Sequence, residues 1–121
     1  MGTEIQSVSP SGRYHVVSDP WEPRMSLWVF PPQVIDTQSE TVIFKTEDIN
    51  WSLEYSKWLS DTVVRLGLRK YPGSVRPNGV VVEIDLSKNR AIIDADLSVP
   101  IEDLGHSLES VMALANHFGA K

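Results

Sequence analysis

Three side chains near the end of the chain have the types and the spacing of a metal site. Glu102, His106 and Glu109 follow one another at intervals of four and three residues, which places them on one face of an α-helix. Two carboxylates and one imidazole suit zinc, manganese or iron. Helix exteriors often carry such polar triples and the sequence shows no fourth ligand, so these residues are weak metal candidates and we predict no cofactor.

Two histidines are candidates for acid–base chemistry in a small-ligand site. His15 lies four residues before Asp19, but a β-strand would place the two on one face without direct contact. The sequence contains none of the familiar motifs for a serine nucleophile, a zinc protease, a phosphate loop or a dinucleotide loop. It therefore favours a protein that is not an enzyme. The alternative is a small-ligand-binding protein or minor enzyme that uses Trp-lined loops with His15 or His106.

A proline-flanked run has the composition of a recognition loop. Asp19-Pro20-Trp21-Glu22-Pro23-Arg24 carries one aromatic ring, two acids and one base. A rigid loop loses little conformational entropy on binding, and Trp and Arg are enriched among the residues that dominate protein interfaces. The predicted partner-binding residues are Asp19, Trp21, Glu22, Arg24 and Trp51. The competing interpretation is a structured crossover, in which Asp19 caps a turn and Arg24 pairs with an acid.

The other aromatic and basic clusters have simpler explanations. Trp28 and Trp58 lie in strand-like or apolar stretches, so we expect them in the core or at its rim. The basic cluster could bind an anion, but two acids lie on the outward face of the next predicted strand. Cross-strand pairing would then neutralise it. The cations are Arg65, Arg69, Lys70 and Arg76, and the acids are Glu83 and Asp85.

Composition sets limits on the class of protein. The chain has 121 residues, 41% of them hydrophobic, which fits one globular domain. It contains no cysteine, which excludes disulfides, thiolate metal sites and a cysteine nucleophile. The net charge of −5 opposes nonspecific binding to nucleic acid. Because no signal peptide or transmembrane segment is visible, we expect a cytoplasmic protein without membrane contact.

The hydrophobic periodicity changes once along the chain. Residues 1–8 are expected to form a loose tail, and residues 9–121 a single domain that is strand-rich over 9–97 and helical over 98–119. Apolar residues in the last segment recur every three or four positions: Ile101, Leu104, Leu108, Val111, Met112, Ala115 and Phe118. The predicted class is α+β, a twisted antiparallel β-meander of about five to seven strands with one C-terminal amphipathic helix packed on the sheet.

Two segments of this meander are alike. Val34-Ile35-Asp36 precedes Thr41-Val42-Ile43-Phe44, and Glu83-Ile84-Asp85 precedes Arg90-Ala91-Ile92-Ile93 at the same offsets. Each unit predicts a strand, a polar turn and a second strand, and the pair faintly resembles the hairpins of β-propeller blades. Two units cannot close a propeller, and any two hairpins share such features. A true repeat would indicate a continuous antiparallel meander.

These features favour a small, acidic, non-catalytic protein-binding module. In size and charge the chain resembles the bacterial toxin-neutralising immunity proteins, which implies an acidic surface that blocks the cleft of a basic enzyme. The alternative to an immunity-type protein is an accessory protein. We expect a protein partner, and a homodimer through an edge strand is a further possibility.

Overall fold

In the part of the chain that the structure describes, eleven β-strands are followed by one α-helix. The computed structural model describes residues 3–25, 27–71 and 79–119, with the backbone alone for Arg24 and 113–119. The strands are β1 (Glu4–Val8), β2 (Tyr14–Ser18), β3 (Trp21–Arg24), β4 (Leu27–Val29), β5 (Pro32–Asp36), β6 (Thr41–Lys45), β7 (Trp51–Trp58), β8 (Val63–Lys70), β9 (Val80–Asp85), β10 (Arg90–Ile93) and β11 (Leu97–Pro100), and the helix is α1 (Ile101–Gly119).

The strands form three antiparallel sheets. A four-stranded sheet has the order β1-β2-β5-β6, a five-stranded sheet has the order β11-β10-β9-β8-β7, and β3 and β4 pair as a separate hairpin. The predicted α+β class with a C-terminal helix on a sheet is confirmed. The strands are more numerous than expected and divide into separate sheets, because the β3–β4 hairpin interrupts the first meander between β2 and β5.

The inner faces of the two larger sheets and the helix share one hydrophobic core. In the four-stranded sheet, Val34 pairs with Val16 on one side and with Phe44 on the other, and all three side chains are buried. In β8, Val64, Leu66 and Leu68 are buried at alternate positions, as their spacing predicts. Alternation therefore aims one face of each sheet at the same interior.

Strand β7 is a single strand of eight residues. The apolar and polar residues of this strand do not alternate regularly along its whole length. The register against β8 shifts between Leu53 and Tyr55, so the extra residue Glu54 interrupts the alternation of inward and outward side chains. A β-bulge of this kind bends a strand without ending it.

The four-stranded sheet begins at β1, so the expected loose tail over residues 1–8 is wrong for residues 4–8. The sequence there lacks a clean apolar alternation because a register shift separates Ile5 from Ser7. The half-buried Ser7 hydroxyl accepts a hydrogen bond from the Trp58 indole at 3.1 Å and shares one of 2.7 Å with Ser56. Polar contacts therefore help to hold β1 in the sheet, although an apolar sequence pattern was the signal expected for a strand.

Helix α1 starts later than the predicted residue 98, because residues 97–100 form β11 along β10. Proline lacks an N–H, so Pro100 suits the boundary between the strand and the helix. The buried stripe consists of Ile101, Leu104, Leu108 and Met112, which are at most 4% exposed. It packs on β6, β10 and β11. Ala115 and Phe118, the last residues of the predicted stripe, lie outside the described side chains.

The two similar segments are both hairpins with the same turn. The Asp36 carboxylate accepts the N–H of Gln38, and the Asp85 carboxylate accepts the N–H of Ser87, each at 3.0 Å. Four residues after the aspartate, Glu40 and Asn89 have φ of 57° and 56°. The hairpins lie in different sheets, so their likeness reflects shared turn chemistry and not the continuous meander that a true repeat would indicate.

The turn between β10 and β11 holds two consecutive non-glycine residues in the left-handed region. Asp94 and Ala95 have φ of 53° and 60°, and the Asp96 N–H donates to the Ile93 carbonyl across them at 3.0 Å. Such turns normally favour glycine or asparagine. Ala95 has no side-chain polar group to compensate for the steric cost of a left-handed conformation.

We expect Ala95→Gly to stabilise the fold by about 1 kcal/mol, because glycine adopts a positive φ without steric strain. Urea unfolding of the purified protein measures the difference. Ala91→Gly is the matched control, since Ala91 is buried within β10 and should lose about 1 kcal/mol or more. Equal effects of the two substitutions would contradict the strained turn.

Candidate partner-binding surfaces

The sequence-predicted residues Asp19 and Trp21 meet in one groove, which we call the Trp21 groove. It has a volume of about 340 Å³. Prolines and an exposed isoleucine supply most of its apolar wall, while one carboxylate and one ammonium group supply its charge. Its lining residues are Asp19, Trp21, Pro31, Pro32, Gln33, Lys45, Thr46 and Ile49.

The Trp21 ring has a fixed orientation in this groove. Its indole N–H donates to the Ile49 carbonyl at 2.9 Å, and its ring meets Tyr71 edge to face with centroids 6.3 Å apart. Trp21 begins β3 and pairs with Val29 of β4, so it stands on a hairpin where a loop was predicted. A half-buried ring held in this way keeps little rotational freedom to lose on binding.

The remaining residues of the proline-flanked run are arranged differently. Asp19 is exposed and accepts the Thr3 hydroxyl at 2.6 Å. Glu22 is exposed and does not line the Trp21 groove, because alternate residues of a strand point to opposite sides. Arg24 ends β3, and its side chain lies outside the described residues. The structure therefore brings together two of the four predicted residues of this run.

Trp51 does not belong to a partner-binding surface. Its relative exposure is 0%, so a partner cannot reach it in this fold. Its indole N–H donates to Glu109 of α1 at 2.6 Å, and the Lys70 ammonium lies 5.4 Å from its ring centroid. Trp51 is instead the point where the five-stranded sheet meets the helix.

Lys70 joins the same contact from β8. Its ammonium group lies 2.6 Å from Glu109 and 3.3 Å from Asp48. Burial acts to lower the pKa of Lys70, but hydrogen bonds and charge attraction from Glu109 and Asp48 outweigh it and raise the pKa above the usual lysine value. The ammonium form is therefore favoured by the folded state.

The weak metal candidates do not form a metal site. Glu109 is directed at Trp51 and Lys70, while Glu102 and His106 are exposed to solvent. Among the side chains that the structure describes, no three from His, Asp or Glu come close enough to hold one ion. All three residues lie on α1, as their spacing predicts, but the Glu109 carboxylate is hydrogen-bonded to Trp51 and Lys70 of the five-stranded sheet.

Among the described side chains, none forms an acid–base pair with His15 or His106. His15 is half-buried in the four-stranded sheet between Val8 and Ile35, and His106 is exposed on α1. Neither lines the Trp21 groove. Among the tryptophans, Trp58 packs at the rim of the core as predicted, whereas Trp28 is 40% exposed, which contradicts its expected core position.

One member of the basic cluster, Arg65, pairs with an acid of the next strand as predicted. Arg65 pairs with Glu83 at 3.1 Å in direct cross-strand register. Arg69 uses Glu54 at 3.3 Å instead of an acid on β9. Asp85 caps its own turn by accepting the Ser87 N–H. Arg76 lies outside the described residues.

A second concave surface, which we call the Tyr55 face, was missed by the sequence analysis. Its concavity has a volume of about 600 Å³ and lies on the outward side of the five-stranded sheet. The Tyr55 ring lies over Gly67, where an added Cβ would come within 2.5 Å of it. The lining residues are Tyr55, Arg65, Val81, Glu83, Ile92, Asp94 and Ala95. Outward Val81 and Ile92 gave a weak signal, because each lies between two buried apolar residues of its own strand.

Comparisons with known proteins assign no family to these surfaces. No family model, no curated protein and no solved structure matches the chain. In the described residues, no helix is long and apolar enough to span a membrane.

We expect Glu109→Ala to destabilise the fold by about 2 kcal/mol, because it leaves the buried Trp51 N–H without an acceptor. Thermal and urea unfolding measure the loss. Glu102→Ala removes an exposed carboxylate from the first turn of the same helix and should cost less than about 1 kcal/mol. Comparable losses in both variants would contradict the special role of Glu109.

The raised pKa of Lys70 predicts a loss of stability in alkali. Its contribution is fully present below the ordinary lysine pKa of 10.5 and is lost as the pH rises through the higher folded-state value. The urea midpoint should therefore fall in this range. Lys70→Arg stays charged there and should move the fall to higher pH. An alkaline limb that is identical in wild type and Lys70→Arg would exclude Lys70 as its source.

Proposed function

We propose that this chain is a non-catalytic protein-binding module that holds an extended segment of a partner protein in the Trp21 groove. The observation that carries the proposal is the fixed Trp21 ring beside two prolines and an exposed isoleucine. Ile49 is 62% exposed although its carbonyl anchors the indole. A large apolar side chain held at the rim of an aromatic groove favours contact with another protein.

Rigidity supports the same proposal. Trp21 stands on paired strands, and the Pro31-Pro32 pair has fixed φ angles. Aromatic-lined grooves take extended, proline-rich segments because both sides are already ordered before they meet. The groove therefore suits an extended peptide better than the end of a helix, which would need a wider apolar channel.

Charge favours a particular kind of partner. The chain carries a net charge of −5, and a negative surface speeds the encounter with a basic protein. We propose that the partner is a basic protein. It is either a toxin enzyme that this chain neutralises, as immunity proteins do, or a protein that this chain assists in an accessory role. In the groove, Asp19 supplies a carboxylate for a basic side chain, while Lys45 supplies an ammonium group.

A small-ligand protein is the second candidate function. The groove volume of about 340 Å³ falls within the range of small-molecule sites. An aromatic ring with one carboxylate and one ammonium group also suits a compact polar ligand. The sequence-based form of this alternative relied on His15 or His106, and neither residue lines the groove.

We expect Trp21→Ala to weaken capture of the partner by about 30-fold, the effect of losing an interface residue worth about 2 kcal/mol. The immobilised chain is incubated with a lysate of its native source. Bound proteins are quantified by mass spectrometry, and affinity for the recovered protein is then measured by calorimetry.

Trp28→Ala is the matched control, because Trp28 is an exposed tryptophan of the same hairpin that does not line the Trp21 groove. It should leave capture unchanged. Circular dichroism confirms that both variants remain folded. Equal capture by wild type and Trp21→Ala would exclude the groove as the protein-binding site. A small molecule that shifts the melting temperature of wild type but not of Trp21→Ala, with no protein captured, would favour the second candidate.

A further inference from the structure

We propose that the Tyr55 face is the contact surface of a symmetric dimer formed by two copies of this chain. The proposal is independent of the proposed function, because the Tyr55 face and the Trp21 groove share no lining residue. It also differs from the edge-strand dimer that the sequence suggested, since the contact uses the face of a sheet.

The centre of this face is apolar and shaped. Tyr55, Val81 and Ile92 are 44%, 37% and 39% exposed, although all three stand on strands of one sheet. Gly67 lacks a side chain, and the Tyr55 ring fills the space above it. The ring therefore lies low across β8, and Val81 stands beside it as the neighbouring apolar side chain. A flat ring beside a projecting methyl group can interlock with a copy of itself.

In one row of the face the charges are ordered across the strands. Lys57, Arg65, Glu83 and Ile92 stand in one cross-strand row over β7, β8, β9 and β10. The cations thus lie on β7 and β8, while the anion lies on β9. Asp94, which follows β10, extends the negative side and accepts the Val81 N–H at 2.9 Å.

Lys57 is the charge of this row that lacks a partner. It is exposed, and within the part of the chain that the structure describes, its ammonium group has no carboxylate within 4.0 Å. It stands directly opposite Arg65, and like charges in that position are destabilising. A second copy that brings its Glu83 opposite Arg65 would place a carboxylate one strand away from Lys57 and so offset this repulsion.

A two-fold axis along the strands, between β8 and β9, brings opposite charges together. This rotation exchanges the two sides of the sheet, so Arg65 of one copy faces Glu83 of the second copy. Val81 of one copy then faces the Gly67 position of the other, beside Tyr55. A two-fold axis running across the strands along this row would instead place Lys57 over Lys57. The charge order therefore selects one symmetric arrangement.

The outward side of the whole five-stranded sheet, of which the Tyr55 face is the central part, sets an upper limit on the contact area and indicates a weak dimer. Five strands spaced by about 4.8 Å and about six residues long give roughly 24 by 20 Å, or about 500 Å² for each copy. Two copies would bury about 1,000 Å², the lower limit for specific interfaces. Association in the micromolar range is the expected result, and a permanent dimer is not.

Charge reversal tests the arrangement. Sedimentation velocity of the full chain, followed through the micromolar range, should show wild type passing from monomer to dimer. Arg65→Glu and Glu83→Arg each place like charges across the interface, so each variant alone should dimerise at least about tenfold more weakly. An equimolar mixture should regain the dimer, because the carboxylate introduced at position 65 of one variant then faces the guanidinium introduced at position 83 of the other.

If Arg65 and Glu83 acted only within one chain, mixing the two variants would not restore the dimer. Val42→Glu is the matched control, since Val42 is 54% exposed on β6 of the four-stranded sheet, and it should leave dimerisation unchanged. The proposal is overturned if wild type stays monomeric throughout, if the mixture stays monomeric, or if Val42→Glu abolishes the dimer. Trp21→Ala should also dimerise normally, which separates failure here from failure of the proposed function.

Discussion

The carboxylate of Glu109 accepts hydrogen bonds from the Trp51 indole and the Lys70 ammonium group, and these bonds attach the helix to the five-stranded sheet. The apolar stripe of α1 gives the helix a buried face but little rotational preference, since apolar contacts are not directional. The hydrogen bonds supply the direction. They fix which residues of α1 meet the sheet, and hence which of its acids remain in solvent.

Regular alternation explains what the sequence predicted well. The inward positions of β8, the cross-strand pair of Arg65 with Glu83, and the apolar stripe of α1 all follow from periods of two or 3.6 residues. The missed features are places where a period breaks. The bulge at Glu54 interrupts the alternation in β7, and the register shift after Ile5 interrupts it in β1. Pro100 lies at the boundary between β11 and α1, which made the start of the helix hard to predict.

The candidate sites were less predictable than the fold. The composition of the run around Trp21 drew attention to two residues that line one groove, because rigid prolines and an aromatic side chain are visible in any sequence. Glu22 was wrongly expected beside Trp21, since the run forms a strand whose alternate side chains point to opposite sides. Trp51 was misread because burial depends on distant contacts, here with a helix residue 58 positions away. The Tyr55 face needs strand register, which no local pattern supplies.

The order of elements has a consequence for synthesis on the ribosome. Helix α1 follows all eleven strands in the sequence, so the strands emerge before the surface that covers them. The core faces of β6 and β10 remain open to water during that interval. Partly built sheets with exposed apolar faces are prone to aggregation. Production of this protein should therefore depend on chaperone capacity and on translation rate more strongly than its finished stability suggests.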